Sequence, residues 1–349
     1  MDFTFSEDQL LFQESARDFL VNEVTPEKIR HCWQSETGRD QVLWQQMADL
    51  GLTGVCVPEE FDGLGLGVLD FVLLAVECGY VALPEPLVNS TMVAAPTLQQ
   101  LGGSLAATWL PKLASGAAKV VAGHELNLLV EDAHIADLLL LAKSDGVYAL
   151  TPDQFSIVAN ESVDPSRRLF QVALKSGVTP VVTGDDARRC AQILLNHGAL
   201  AAAAQALGLC QRMLDISVAY TSERQQFGQA IGSFQAVKHH LANIAVELEY
   251  AKAPLHRAAY ALDRCLDNAF LAVSHAKLSA CEAALLAAKN SIQVHGAMGY
   301  TWEVDLHIFM KKAWALAGSW GDAAYHKAQV AQYLFDEENA IGAGATLGE

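Results

Sequence analysis

The chain has 349 residues, of which 52% are hydrophobic and 18% charged, with 23 Lys and Arg against 40 Asp and Glu. This length suffices for two or three domains with a sizeable core, and the apolar composition excludes a disordered chain and a charge-laced coiled coil. The formal net charge of −17 argues against nonspecific binding to nucleic acid or to an anionic membrane, because both need basic surface.

The cysteines and histidines predict neither a disulfide framework nor a metal site. The seven cysteines are odd in number and form no C-x-x-C pair, a pattern typical of buried reduced thiols in a cytoplasmic protein. His239, His240 and His275 lack the spacing of metal ligands. Residues 1–14 show no charged segment followed by an apolar block, so we predict no signal peptide.

The first third of the chain is predicted to be helical. Ser6 and Gln9 are spaced as a capping box at the start of the first helix. A second helix is predicted over residues 41–50, ended by Gly51. Residues 57–67 read VPEEFDGLGLG and predict a loop; no strand precedes them and the dinucleotide spacing is absent, which excludes a Rossmann site. Further helices are predicted over residues 69–78, 93–101 and 105–113.

A small β domain is predicted next, because short extended segments replace the helical pattern. These predicted strands are residues 138–143, 147–150, 155–158 and 169–174, with a turn at residues 144–146. Helices resume over residues 186–222, 235–264, 267–292 and 321–336, each with one apolar stripe, which indicates a four-helix bundle. Residues 193–210 are the most apolar stretch, but their length and their interspersed Asn, His and Gln predict a buried bundle helix rather than a membrane span.

The predicted fold is therefore mainly α with a small central β domain. Its predicted boundaries are a helical domain at residues 1–118, a β domain at 119–185, a bundle at 186–340 and a disordered tail at 341–349.

Two segments of the bundle carry recognisable motifs. Residues 220–235 read YTSERQQFGQAIGSFQ, and residues 293–303 read QVHGAMGYTWE. Together with the loop at residues 57–67 they resemble the acyl-CoA dehydrogenase family, whose members carry Glu-Arg-x-x-Phe-Gly, then a Phe/His-Gln pair, then Gln-x-x-Gly-Gly-x-Gly-Tyr. The resemblance covers nearly the whole chain. It implies the acyl-CoA dehydrogenase fold, with a helical domain, a β domain and a four-helix bundle.

The resemblance also implies FAD at a subunit interface, contacted by the bundle of the neighbouring subunit. Arg224 would contact the pyrophosphate, since a guanidinium makes forked, charge-assisted bonds to phosphate. Phe227 would pack on the adenosine part, Gln235 and Gln293 would offer amide groups, and Gly296 would allow close backbone approach. The same motif implies cofactor contacts for Val294, His295 and Ala297, where Ala297 replaces a family glycine.

Neither of the family's two positions for the catalytic carboxylate is filled by a carboxylate in this chain. In this family a glutamate removes the α proton of an acyl-CoA thioester while the β hydride passes to the flavin. The resemblance places these two positions at Trp320 and Gly198, and neither side chain can accept a proton. The β domain departs as well: it is short, and residues 122–127 read AGHELN where the family carries Thr-Glu-Pro. We therefore predict no catalytic residue in this chain.

Three other side chains are candidates for the catalytic base. His197 neighbours Gly198, but a histidine among alanines on a helix is more often a packed, hydrogen-bonded residue. Asp322 precedes a helical run and is predicted to be its N-cap. Glu303 matches a structural glutamate of the family.

Three hypotheses follow. The leading one is the non-catalytic subunit of a heteromeric acyl-CoA dehydrogenase, whose homologous partner (in an α2β2 assembly) binds the acyl-CoA and holds the base, with electron-transfer flavoprotein as acceptor. The resemblance implies steroid or sterol side-chain degradation for such paired subunits. The alternatives are an active homo-oligomer with an atypical base, and a flavin-free scaffold that retains the fold.

Overall fold

The structure, a computed structural model, describes residues 4–336 and 339. The predicted tail at residues 341–349 lies outside the described residues. The N-terminal part consists of helices joined by short turns. They are α1 (Glu7–Glu23), α2 (Pro26–Gln34), α3 (Gln41–Asp49), α4 (Val68–Tyr80), a π-helical turn (Asn89–Ala94), α5 (Ala95–Leu101) and α6 (Gly103–Ala114).

Local signals explain several of these helix ends. The capping box of Ser6 and Gln9 is present, with the Ser6 hydroxyl accepting from the Gln9 N–H and the Gln9 side chain accepting from the Ser6 N–H. Helix α3 ends before Gly51, whose φ of 76° suits glycine at this left-handed position. Both predictions are confirmed. Helix α2 was not predicted, although Thr25 caps it and Pro26 occupies its first position.

The β region forms two three-stranded sheets. Its strands are β1 (Val120–His124), β2 (Val130–Glu131), β3 (Leu138–Lys143), β4 (Gly146–Leu150), β5 (Phe155–Asn160) and β6 (Leu169–Leu174). One sheet has the order β1-β3-β4 and the other β2-β6-β5. Strand β1 runs parallel to β3, with Val120 opposite Leu138, and the other pairs are antiparallel. The four predicted strands are present; β1 and β2 were missed because an Ala-Gly pair interrupts the first and the second has two residues.

The C-terminal part contains one more helix than predicted. Its helices are α7 (Gly184–Glu223), α8 (Gln235–Asp263), α9 (Ala269–His295), α10 (Leu306–Ala317) and α11 (Ala323–Leu334). Between α7 and α8 lies a short hairpin whose strands, β7 (Gln225–Gln226) and β8 (Gln229–Ala230), have two residues each. Helix α10, which the sequence analysis missed, packs on α7 and α9. Nine of its twelve residues are buried, including the polar His307 and Lys312, while Trp314 is exposed, so burial does not follow residue polarity along this helix.

Close helix approach joins the N-terminal helices to the bundle. A Cβ at Gly79 of α4 would lie 2.1 Å from the carbonyl oxygen of Gln205, and one at Gly208 of α7 would lie 1.9 Å from that of Val76. Only glycine fits at either position, because real Cβ atoms do not approach backbone so closely. A single hydrophobic core therefore runs from the N-terminal helices into the bundle.

Two helical segments are long and apolar enough to cross a membrane by length and composition alone. They are Gly184–Glu223 and Ala269–Tyr300, and 89% and 56% of their most apolar windows are buried inside the protein. Such burial is what the core helix of a bundle shows. The stretch at residues 193–210 lies in the first segment and is a buried bundle helix, as predicted.

Candidate functional site

The hairpin after α7 presents an exposed aromatic side chain on an unusual backbone. Phe227 and Gly228 form its two-residue turn, with φ values of 54° and 80°. Such a turn requires positive φ at both central residues, which glycine adopts freely and a bulky residue only at a cost in energy. Phe227 is nevertheless there, with 92% of its surface exposed. Its ring touches Phe234 edge to face, at 6.2 Å between centroids.

Arg224 lies at the base of this hairpin. Its N–H donates to the Tyr220 carbonyl at 2.9 Å, and its carbonyl accepts from the Ile231 N–H at 2.8 Å, so the backbone is held on both sides. The guanidinium is exposed, and within residues 4–336 it has no ion pair or side-chain hydrogen bond. A fixed backbone with a free forked cation suits recognition of a phosphate group.

Three further predicted residues lie at the same end of the bundle. Gln235 begins α8, and Gln293 lies in the last turn of α9; both are exposed. Gly296 follows α9 with a φ of 60°, and a Cβ there would meet nothing within 4 Å. Ala297 beside it is exposed. We call the surface formed by Arg224, Phe227, Gln235, Gln293 and Gly296 the hairpin end of the bundle.

Val294 and His295, by contrast, lie inside the protein. They are 7% and 3% exposed. The His295 ring stacks on Tyr220 with centroids 4.2 Å apart, and its Nδ1 donates to the Ser291 carbonyl at 2.7 Å. Burial lowers the pKa of His295, so the ring is neutral near pH 7. The His295 ring thus joins α9 to α7 beneath the hairpin end, and neither side chain belongs to the exposed surface.

Gly198 and Trp320, the two positions at which the resemblance predicts the catalytic carboxylate, are in direct contact. A Cβ built on Gly198 of α7 would lie 2.1 Å from Cδ2 of the Trp320 indole. The indole therefore covers the face of α7 on which a side chain at position 198 would project. Both residues are buried. Because neither is polar at this contact, the packed pair offers no group that accepts a proton.

The backbone of Trp320 is held on both sides. Its N–H donates to Oδ1 of Asn127 at 2.9 Å, and its carbonyl lies 3.0 Å from Nε2 of His326. A carbonyl can only accept, so Nε2 of His326 carries the proton, and Nδ1 at 3.0 Å accepts from the Ser274 hydroxyl. These bonds fix Trp320 at a φ of 56°, an uncommon value for a bulky residue.

Little space remains beside the Trp320 indole. The cavity that it lines has a volume of about 50 Å³, enough for a few waters rather than for an acyl chain or a ring system. Glu85 and Lys312 line it, and Lys312 donates to the Leu83 carbonyl. Burial raises the pKa of Glu85 to about 6.

Two of the three alternative bases are engaged elsewhere. His197 is buried, its Nδ1 donates to the Met92 carbonyl at 2.9 Å, and burial lowers its pKa to about 4, so it is a neutral packed residue. Asp322 caps α11 by accepting from the Tyr325 N–H at 2.8 Å, as predicted. Glu303 is exposed. Among the residues that the structure describes, no group of three or more His, Cys, Asp or Glu side chains could hold a metal ion.

Comparison with known proteins identifies the family. The N-terminal domain profile of acyl-CoA dehydrogenases matches residues 6–117, and the C-terminal domain profile matches residues 188–335. The chain is 32% identical over 311 residues to the acyl-CoA dehydrogenase IpdE2 of Mycolicibacterium smegmatis, an alignment that covers 88% of this chain and 93% of that one. The chain belongs to the acyl-CoA dehydrogenase family.

Solved structures confirm the acyl-CoA dehydrogenase fold. A chain of the ChsE4-ChsE5 complex from Mycobacterium tuberculosis superimposes with a TM-score of 0.88 at 23% identity, covering 98% of this chain and 100% of that one. The Tcur3481-Tcur3483 steroid ACAD, as a G363A variant, gives a TM-score of 0.85 at 24% identity, covering 93% and 97%. The family assignment and the mainly helical fold predicted from the motifs are thus confirmed.

Sequence reasoning missed three residues that shape this acyl-CoA dehydrogenase site. Tyr220 lies within the quoted motif, but only the fold shows that it stacks on His295. Asn127 and His326 fix Trp320 from a β-domain loop and from α11. Asn127 ends the segment AGHELN at residues 122–127, but nothing in the sequence connects it with His326, which is 199 positions away.

Proposed function

We propose that this chain is the non-catalytic subunit of a heteromeric acyl-CoA dehydrogenase. In this assembly the hairpin end reaches the FAD held by a homologous partner subunit, and the partner supplies the catalytic carboxylate. FAD, when bound, accepts the hydride in α,β-desaturation of an acyl-CoA. This chain supplies contacts to the cofactor and no base.

The observation that carries the proposal is the state of Phe227 and Arg224. The Phe227 ring is 92% exposed on the strained turn of the hairpin. Arg224 lies at the base of the same hairpin, and its guanidinium has no side-chain partner among the described residues. Strained backbone persists where the surrounding structure or a function requires it. An aromatic face, a forked cation, two amides and an open glycine match an adenosine, a pyrophosphate and the close approach of a cofactor. The residues of the hairpin end therefore fit one part of FAD.

The region around Trp320 and Gly198 in this chain does not fit a flavin. Trp320 and Gly198 fill the place of the base, Asn127 binds the Trp320 backbone directly, and about 50 Å³ remains beside the indole. The asymmetry between an open hairpin end and a closed site favours the non-catalytic subunit over an active homo-oligomer.

The partner and substrate are part of the same proposal. The assembly is an α2β2 heterotetramer in the cytoplasm, the partner binds the acyl-CoA, and electron-transfer flavoprotein accepts the electrons. A steroid-derived acyl group is favoured because one structural neighbour is described as a steroid ACAD and another as a two-protein complex. No role in nucleic-acid binding or membrane insertion is proposed, given the net charge of −17.

Co-expression with the product of the adjacent gene tests the proposal. The chain alone, the partner alone and the co-purified complex are compared for flavin absorbance, subunit composition and turnover of acyl-CoA with an artificial electron acceptor. We expect flavin and turnover only in the complex. Turnover by this chain alone would favour the homo-oligomeric enzyme, and a stable chain that never recruits flavin through any partner would favour the scaffold.

A further inference from the structure

A second, larger pocket lies away from both the hairpin end and Trp320. It has a volume of about 630 Å³ and opens between the N-terminal half of α7, the turn from α8 to α9, and α5. Its apolar lining residues are Leu66, Val68, Pro96, Ile193, Leu262, Leu266, Ala269 and Phe270. Its size and mainly apolar lining are those of small-molecule sites, which span about 300–1,000 Å³.

The pocket and the hairpin end lie at opposite ends of the bundle. Helix α8 begins at the hairpin end with Gln235 and finishes at the pocket with Asp263, and α9 returns from Ala269 to His295. At 1.5 Å per residue, the 29 residues of α8 span roughly 44 Å. A molecule in the pocket would therefore leave Arg224 and Phe227 untouched.

Three amide side chains in the lining each keep a polar atom that makes no hydrogen bond to any residue the structure describes. The Gln99 Nε2 donates to the Cys56 carbonyl at 2.6 Å, and the Gln192 Nε2 donates to Oδ1 of Asn196 at 2.8 Å. These bonds leave the Oε1 atoms of both glutamines as acceptors and the Asn196 Nδ2 as a donor. A hydroxyl group on a ligand can donate to a glutamine Oε1 or accept from the Asn196 Nδ2, whereas a carbonyl group can only accept from Nδ2.

The charges around the opening do not favour an anion. Arg189 contributes one positive charge and Asp267 one negative charge, while Asp263 pairs with Arg264 at 3.9 Å, so the opening carries no excess positive charge. Burial holds the pKa of His197, which also lines the pocket, at about 4, so that it is neutral near pH 7. The whole chain adds a net charge of −17, which repels anionic ligands.

We propose that this pocket binds a neutral, mainly apolar small molecule that carries hydroxyl or carbonyl groups. The apolar walls bury its body, and Asn196, Gln99 and Gln192 orient its oxygen atoms. The site differs from the small cavity beside Trp320, since no residue of that cavity's lining recurs in this one. The proposal stands independently of the function proposed for the hairpin end.

A matched pair of probes tests the site. Binding of 2-naphthol and of naphthalene-2-sulfonate to the full-length chain, in whichever assembly it purifies, is measured by calorimetry. The two probes share a bicyclic body and differ in whether the substituent is a neutral hydroxyl or an anion. We expect one saturable 2-naphthol site per chain and binding of the sulfonate about tenfold weaker or less, one factor of ten being about 1.4 kcal/mol. Equal affinities, or no saturable 2-naphthol site, would overturn the proposal.

Three variants locate the binding. Ile193→Trp narrows the pocket and should weaken 2-naphthol by about tenfold or more, while Leu285→Trp, at an exposed position of α9 outside the lining, should leave it unchanged. Asn196→Ala removes the free donor without filling space and should weaken 2-naphthol by about three- to tenfold. Unchanged 2-naphthol binding by both Ile193→Trp and Asn196→Ala would refute the site.

Discussion

The indole of Trp320 occupies the space into which a side chain at Gly198 would project, 2.1 Å from the Cβ position. The two residues are 122 positions apart in sequence, and each stands at a position for which the family resemblance predicts the catalytic carboxylate. A glutamate at position 198 would collide with the indole, so restoring a base at one position requires clearing the other. The absence of a carboxylate at position 198 is therefore structurally linked to the presence of the indole at position 320.

Gly198→Ala should lower the free energy of unfolding by about 1–3 kcal/mol, the range for overpacking a core. The added methyl group meets an indole whose backbone is fixed by Asn127 and His326. Chemical denaturation of the parent and the variant measures the difference.

The double variant with Trp320→Ala supplies the control for this contact. In that background Gly198→Ala no longer overpacks, and alanine should stabilise the helix interior by up to about 1 kcal/mol relative to glycine. A Gly198→Ala effect that is the same in both backgrounds would show that the indole does not cause it.

Trp320→Glu should not create activity in this chain. The substitution places a carboxylate at position 320, but the β-domain segment at residues 122–127, which departs from the family sequence, remains unchanged. Turnover of an acyl-CoA with an artificial electron acceptor is measured for the isolated variant. Turnover above that of the parent chain would contradict the proposed non-catalytic role.

Arg224→Ala should weaken FAD retention in the complex by about ten- to a hundredfold, because a hydrogen bond to a charged group contributes roughly 1.5–3 kcal/mol. Arg224→Lys should restore only part of the lost FAD affinity, since an ammonium cannot form the forked contact. Titration of FAD into each apo complex, followed by flavin fluorescence, gives the affinities.

Circular dichroism of the Arg224 variants provides the structural control. The guanidinium makes no side-chain hydrogen bond or ion pair among residues 4–336, so the fold should not change. If Arg224→Ala retains FAD as tightly as the parent complex, the role proposed for the hairpin end is wrong and the scaffold hypothesis gains support.

The chain should form an obligate oligomer. Phe227, Tyr300 and Trp302 are 92%, 80% and 66% exposed, and a stable assembly would bury such apolar rings. Sedimentation at low micromolar concentration measures the assembly state. A monodisperse, stable monomer would contradict this prediction, and Phe227→Ser should weaken assembly if the hairpin end contributes to the interface.

Stability should depend on the protonation of Glu85. Its Oε1 accepts from the Asp40 N–H at 2.6 Å, while Oε2 is buried without a partner. Burial raises the pKa of Glu85 from 4.5 to about 6, despite Arg39 and Lys119 nearby. A raised carboxyl pKa means that the folded state binds the proton more tightly, so this stabilisation is complete below pH 4.5 and is lost as the pH rises through 6.

Glu85→Gln isolates this effect, because a glutamine keeps an acceptor for the Asp40 N–H and does not ionise. The stability of the variant relative to the parent should rise by about 2 kcal/mol between pH 4 and pH 7. Urea denaturation across this range gives the difference. A relative stability that does not change with pH would show that Glu85 titrates normally.

The sequence by itself determined the family, most helices and four of the strands. Helix ends were predictable where the signal is local: the capping box of Ser6 lies within one turn, and Gly51 needs only its own backbone conformation. The motif around Arg224 and Phe227 could likewise be recognised from the sequence, because its residues are contiguous in the chain. Helix α10 was not predicted: it buries the polar His307 and Lys312 and exposes Trp314, and only its packing on α7 and α9 decides that arrangement.

Only the tertiary structure decided how these residues combine. It brought Gly198 against Trp320, placed Tyr220 on His295, and separated the buried Val294 and His295 from the exposed Gln293. It also formed the 630 Å³ pocket from α5, α7 and the turn after α8. Packing joins residues that are distant in sequence, and side-chain volumes and backbone polar groups at those contacts leave no periodic or local pattern in the chain.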